Sequence, residues 1–123
     1  MAIHNNTGTW GENIACDILV KEGCAIAERN CRCKSYEIDI IAMRGDAIVF
    51  AEVKTRSENG DDPFDALTPS KLRQMLRAAD NYVKTHNIPH RIEFDFFAIT
   101  GNEHHYQVEH IRDMTMPLMR TRR

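Results

Sequence analysis

Apolar positions recur at helical spacing near the start of the chain and at strand spacing through its middle. Those two periods predict the order of elements. Over residues 9–22, Ile14, Ala15, Ile18 and Leu19 share one face, with Gly11 beneath and Trp10 beside them. This predicts an amphipathic helix ended by Gly23. A short strand is expected over 25–29, then an irregular basic link, "NCRCKS". Two strong apolar strands follow, over 36–43 and 47–55. "SENGDDP" has turn chemistry and predicts a polar loop. Thr68 as cap and Pro69 at the first helical position open a second helix that runs to about residue 86. Its expected buried stripe is Leu72, Met75, Leu76, Ala79 and Val83. "RIEFDFFAIT" predicts a further strand and "HYQVEHI" a weaker last one. The order α, three strands, α, two strands predicts a single α/β domain over 1–123: a mixed central sheet with helices on both sides. Its core is expected over about 8–111. The stretch 112–123 shows no periodicity, ends on Arg120, Arg122 and Arg123, and is expected to be a disordered basic tail.

The most apolar segment, "EIDIIAMRGDAIVFAEVKT", also carries Glu37, Asp39, Glu52 and Lys54. Gly45-Asp46 suits a two-residue hairpin with glycine first in a type II′ turn. Pairing Arg44 with Ala47 then sets Asp39 opposite Glu52 and Glu37 opposite Lys54. Opposed residues share a face, with Cα atoms about 4.5 to 5.5 Å apart. The other face, Ile38, Ile40 and Ala42 against Val49, Ala51 and Val53, is expected to be wholly apolar. Like charges opposed on a half-buried sheet repel and are poorly solvated, so something must offset them. A divalent cation does so, since hard ions take carboxylate oxygens readily. The alternative is a buried ion network, Glu37 with Lys54 and Asp39 protonated or paired to an arginine. Glu12 lies at the edge of the first helix's apolar stripe. It either points at the carboxylates or is an exposed acid favoured by the helix dipole.

Composition changes this picture little. The chain has 123 residues, 28% of them charged, and a net charge of −2, too small to argue for or against a nucleic-acid partner. "MAIHNNTGTWGENIACDILV" has no basic leader followed by an apolar run, and no apolar stretch approaches the roughly 20 residues that span a bilayer. A cytoplasmic location is the expectation. Cys16, Cys24, Cys31 and Cys33 are then expected as free thiols. Cys31-x-Cys33 is too short for a zinc knuckle.

An acidic residue on a first helix, then Asp, then Glu-x-Lys on the adjacent strand resembles the PD-(D/E)XK nucleases of the restriction-endonuclease-like fold. Within that group the chain resembles the YraN-like family of small bacterial proteins. The likeness covers roughly residues 8–111. It is carried by "GENIA", "ERNCRC", "EIDIIA", "VFAEVKTR", "ALTPSKLRQMLRAA" and "FDFFAI". The chain departs from the family where Tyr36 stands in place of a glycine before "EID".

The resemblance implies that fold and a Mg²⁺- or Mn²⁺-dependent endonuclease. Branched or single-stranded DNA is its substrate by analogy with small junction-resolving enzymes. It makes Asp39 and Glu52 metal ligands, the Val53 carbonyl a third, and Glu12 a ligand directly or through water. Lys54 would orient and help deprotonate the attacking water.

On the second helix, Lys71, Arg73 and Arg77 are candidate phosphate contacts, and Gln74 either orients the site or is a surface residue. Asp61 and Asp62 read as solvated loop residues. His104, His105 and His110 stand at no metal-ligand spacing. The rival from another class is a non-catalytic protein that keeps the fold and binds nucleic acid or a partner. A homodimer is compatible with either.

Overall fold

The structure, a computed structural model, describes residues 6–114, and of residues 6–8 the backbone alone. Eight elements follow in order: α1 (Asn6–Lys21), β1 (Ala25–Cys33), β2 (Tyr36–Arg44), β3 (Ala47–Arg56), a 3₁₀ turn (Pro63–Ala66), α2 (Pro69–Thr85), β4 (Arg91–Asn102) and β5 (His105–Ile111). The strands form one open sheet in the order β1-β2-β3-β4-β5. β3 and β4 are parallel and joined by the α2 crossover; the other neighbours are antiparallel. The protein is thus an α/β domain with a mixed sheet between two helices, consistent with the restriction-endonuclease-like fold.

Both helices stop where the sequence says they should. Cys24 N–H reaches Leu19 O and Gly23 N–H reaches Val20 O, both at 2.9 Å. This is a Schellman closure with Gly23 at φ +95°. α2 starts on Thr68, whose hydroxyl accepts from Lys71 N–H at 3.1 Å. It ends with Asn87 at φ +54° and Ile88 N–H on Val83 O at 2.9 Å. Its stripe is centred on Met75, Ala78, Ala79 and Tyr82, so Ala78 and Tyr82 join the expected set. The 3₁₀ turn was not expected. The Asp62 carboxylate caps it by accepting from Phe64 N–H at 3.0 Å, so Asp62 is a structural residue.

Two apolar layers fill the sheet faces. Ile41, Ile48, Phe50 and Phe94 pack under α2; Ile40, Ala42, Val49, Ala51 and Phe97 pack under α1. α1 comes unusually close to β3. A Cβ on Gly11 would collide with Thr55 Cγ2 and touch Val53. Thr55 is β-branched and cannot swing away cheaply. Gly11→Ala should therefore lower the thermal midpoint, by about 1 to 3 kcal/mol of overpacking. Helix propensity alone would raise stability by about 1 kcal/mol, so an unchanged or higher midpoint in a thermal melt contradicts the close approach.

β1 is longer than expected. It runs through most of the "NCRCKS" link to Cys33 and turns back on Lys34-Ser35, because Cys33 pairs with Tyr36. All four cysteines are free thiols. The predicted tail also starts late: Asp113 N–H donates to Asp95 Oδ1 at 3.1 Å and Met114 N–H to Phe94 O at 2.8 Å. Residues 115–123, with Arg120, Arg122 and Arg123, lie outside the described residues. No described helix is long and apolar enough to cross a membrane.

Candidate functional site

The β2–β3 register is the one the Gly45-Asp46 turn predicts, from Arg44↔Ala47 to Ile40↔Ala51. It stops there. On the other side of β2, Arg29↔Ile40 and Cys31↔Ile38 pair, while Asn30 and Asp39 between them do not. Asn30 adopts φ +53°. Ile40 packs in the α1 layer, yet Ile38 packs in the α2 layer. Residues two apart on a regular strand share a face, so the backbone turns over at Asp39. The expected wholly apolar face ends at Ile40 for that reason. The expected opposition of Glu37 with Lys54 is not made: Glu37 is exposed and pairs with Arg32 of β1.

At this break Asp39 Oδ2 accepts from Val53 N–H at 2.8 Å. The side chain takes the place of a ladder partner. Glu52, 6% exposed, accepts at Oε1 from the Tyr36 hydroxyl at 3.1 Å, and its Oε2 lies 3.8 Å from Lys71 Nζ. Glu12 enters from α1, with Oε1 3.7 Å from Arg29 Nη2. Glu12, Asp39, Glu52, Val53 and Lys54 all line one cavity of about 320 Å³, together with Thr55 and Arg56. The structure therefore gathers the four acidic and basic candidates and the Val53 main chain. Among the described residues, no three His, Cys, Asp or Glu side chains converge into a cage ready for an ion. Arg29 holds Glu12 at the cavity wall.

The carboxylates are held against their charge. Burial first, then the Glu52 charge, raises Asp39 to about 7, against the single hydrogen bond from Val53. Burial also raises Glu52, opposed by Lys71 and Tyr36, and raises Glu12, opposed by Asn30 and Arg29. The folded state thus holds a proton on Asp39 that the unfolded chain, titrating near about 4, releases. Stability from this group is complete below about pH 4 and falls as pH rises toward 7. Asp39→Asn should flatten that fall when urea unfolding is followed from pH 4 to 8. An unchanged pH profile contradicts the burial of an ionisable Asp39.

A second buried charge cluster, around Asp95 of β4, which pairs with Ala51 beside Glu52, is the comparison that gives this one meaning. There Asp95, fully buried, meets Arg44 Nη2 and His110 Nε2, each at 2.7 Å, and Glu93 meets Arg44 Nη1 at 2.7 Å. Burial alone would raise Asp95, yet His110, Arg44 and the Asp113 N–H hold it below its usual range. That is a compensated ion network. Asp39 has no cation in hydrogen-bond contact, and Glu52 has one at the limit of an ion pair. The sequence shows His110 as scattered; the network was hidden because Arg44, Asp95 and His110 are far apart in the chain.

Of the α2 candidates, only Lys71 reaches the carboxylates, and it also lies 5.9 Å over the Tyr36 ring. Gln74 and Arg77 line a separate cleft, and Arg73 is exposed. Asp61 is exposed, and His104 and His105 sit at the β4–β5 turn, where their backbone N–H groups donate to Asn102 Oδ1. Tyr36, Arg29 and Arg56 are site residues that sequence reasoning missed. The resemblance marks Tyr36 only as a departure, while the structure shows its hydroxyl donating to Glu52.

Comparison with known proteins shows the family of the chain. The uncharacterised protein family UPF0102 matches residues 11–99. A UPF0102 protein of Bacteroides fragilis is 37% identical over 118 residues, 95% of this chain and 98% of its own length. One of Christiangramia forsetii is 39% identical over 92% of this chain and 96% of its own. One of Streptomyces griseus is 43% identical over 67% of this chain and 70% of its own. The matched span runs from Gly11, at the close approach of α1 to β3, to Ile99 on β4, and it contains every residue that lines the carboxylate cavity. The chain is thus a member of the UPF0102 family, the YraN-like one.

Proposed function

We propose that this protein is a divalent-metal-dependent endonuclease that hydrolyses phosphodiester bonds in DNA, with Asp39, Glu52, Lys54 and Glu12 as its catalytic set. One observation carries the reading. Buried Glu52 and half-buried Asp39 line one cavity at a break in the sheet, and among the described residues their one ion pair is Lys71 with Glu52 at 3.8 Å, whereas Arg44 meets both Asp95 and Glu93 at 2.7 Å. Acids raised by burial beside a like charge in a cleft are candidates for a functional site.

The residues fit Mg²⁺ or Mn²⁺. Asp39, Glu52 and the Val53 carbonyl are hard oxygen donors, the type these ions prefer, and Glu12 would contact the ion directly or through water. When bound, such an ion lowers the pKa of a water and offsets charge on phosphoryl oxygens. The chain's own residues do the rest. Lys54, two residues from Glu52 on the same strand, orients the attacking water and stabilises negative charge developing at phosphorus. Tyr36 and Lys71 hold the Glu52 carboxylate facing the cavity. Arg56 also lines the cavity and would meet the phosphate that flanks the cut.

Branched or single-stranded DNA is the substrate class we favour, by likeness to small junction-resolving enzymes of this fold. The test is a cleavage panel of junction, flap, single-stranded and duplex DNA with Mg²⁺, Mn²⁺ or EDTA. Metal-dependent cutting of branched or single-stranded members supports the reading. Tight binding with no cutting in any metal would replace it with a non-catalytic nucleic-acid-binding protein.

A further inference from the structure

The β1–β2 turn and the exposed side of α2 form a cleft of about 70 Å³ lined by Lys34, Ser35, Tyr36, Gln74 and Arg77. Both of its cations, Lys34 and Arg77, are exposed. No carboxylate lines the cleft, and neither cation has an ion-pair partner among the described residues. Lys21, Arg32, Lys54, Arg56, Arg73 and Arg112 also have no ion pair among the described residues, so what sets the cleft apart is two unpaired cations on one depression with no carboxylate beside them. Elsewhere on the described surface Arg91 pairs with Asp46 and Lys84 with Asp80.

Lys34 is also held at φ +58°, in a turn position that glycine or asparagine fills at less cost. The local conformation thus carries a cationic side chain where backbone preference argues against it. The cleft is separate from the carboxylate cavity but joined to it by one side chain. Tyr36 forms a wall of the cleft and donates its hydroxyl to Glu52, and Lys71 lies between them over the Tyr36 ring.

We propose that this cleft binds a phosphate of the nucleic-acid strand that is cut, next to the scissile bond on the α2 side. The inference rests on the nuclease reading for the word "cut", but the binding itself does not. Its volume suits one tetrahedral anion and excludes a base pair. Ser35 and Gln74 supply neutral donors beside the two cations, an arrangement that grips phosphate without reading sequence. Lys71 continues the positive line from Arg77 toward Glu52. The strand therefore crosses the turn and α2 before it reaches Asp39 and Lys54. Tyr36, in place of glycine, links the two sites and is the positioning residue between them.

The experiment is fluorescence anisotropy with labelled single-stranded DNA and single-stranded RNA of one sequence, in EDTA, across a salt series. Lys34→Asn/Arg77→Gln removes both cations while asparagine suits the left-handed turn. Lys21→Ala/Lys84→Ala is the charge-matched control on other surfaces. The cleft variant should bind at least tenfold more weakly at low salt. Its log–log salt slope should fall by about 0.7, the share of one neutralised phosphate on a single strand. The loss should be equal for DNA and RNA, since a phosphate contact is blind to the sugar. The control should bind as wild type does. Equal binding by the cleft variant, equal loss in the control, or no binding by wild type overturns the proposal. If the cleft variant behaves as expected but no substrate is ever cut, the nuclease reading fails and this site stands.

Discussion

Lys54→Ala should lower single-turnover DNA cleavage by about 10² to 10⁴-fold, the range a positioned acid–base group contributes, with little change in affinity for DNA. The expectation follows from where the side chain stands. Lys54 lines the carboxylate cavity yet is neither a carboxylate nor part of the cationic cleft. Its loss leaves Asp39 and Glu52 to bind an ion and leaves Lys34 and Arg77 to bind the strand. What disappears is water orientation and charge stabilisation at phosphorus. Because Lys54 is half-buried, removal should cost little stability, and a thermal melt of the variant separates lost chemistry from lost folding. A variant that cuts as fast as wild type removes Lys54 from the catalytic set.

Millimolar Mg²⁺ or Mn²⁺ should raise the thermal midpoint of the wild type, and Asp39→Asn should abolish the increase. An ion that binds only the native state stabilises it by about 2.7 kcal/mol at 100 times its Kd. For a domain of this size, roughly 3 to 6 °C accompanies each kcal/mol, so the increase should reach on the order of 10 °C. Without metal the ordering reverses. Asp39 is raised by burial and by the Glu52 charge, so replacing it with a neutral amide should leave the metal-free protein as stable as wild type or more so at pH 8. Glu93 and Asp95 supply the contrast. Asp95→Asn should destabilise, because it leaves Arg44 and His110 without their buried partner. A midpoint indifferent to divalent ions would favour a protonated Asp39 in a purely structural role.

How much of this was legible in the chain depends on whether the determinant was local. The hairpin register was, because glycine at the first position of a two-residue turn sets the pairing of everything above it. Gly45 does have φ +58°, and Arg44 faces Ala47. Both helix ends were, because Gly23, Thr68 and Pro69 act within one turn. The place where the register stops was not. The ladder breaks at Asp39 because Asn30 on the neighbouring strand is left-handed and β1 runs on to Cys33. That link looked irregular and basic in isolation. The candidate acids were found by pairing and by resemblance, and they do share a cavity, though through a side chain that bonds to Val53 rather than by direct opposition to Glu52. The compensated network around Asp95 was not legible, since each acid looked like an ordinary interruption of an apolar strand. Its cation comes from the Arg44 turn and its imidazole from β5.

The central claim is that Asp39 and Glu52 together bind one divalent ion that the cleavage reaction requires. Its most direct test is a Mn²⁺ titration read two ways on the same samples: bound ion by electron paramagnetic resonance, and single-turnover cleavage of branched DNA. Wild type should bind one functionally linked Mn²⁺ per chain, with cleavage rising over the same concentrations. Asp39→Asn/Glu52→Gln should lose both while remaining folded. Cleavage that persists in the double variant, or Mn²⁺ binding unchanged by it, would contradict the account.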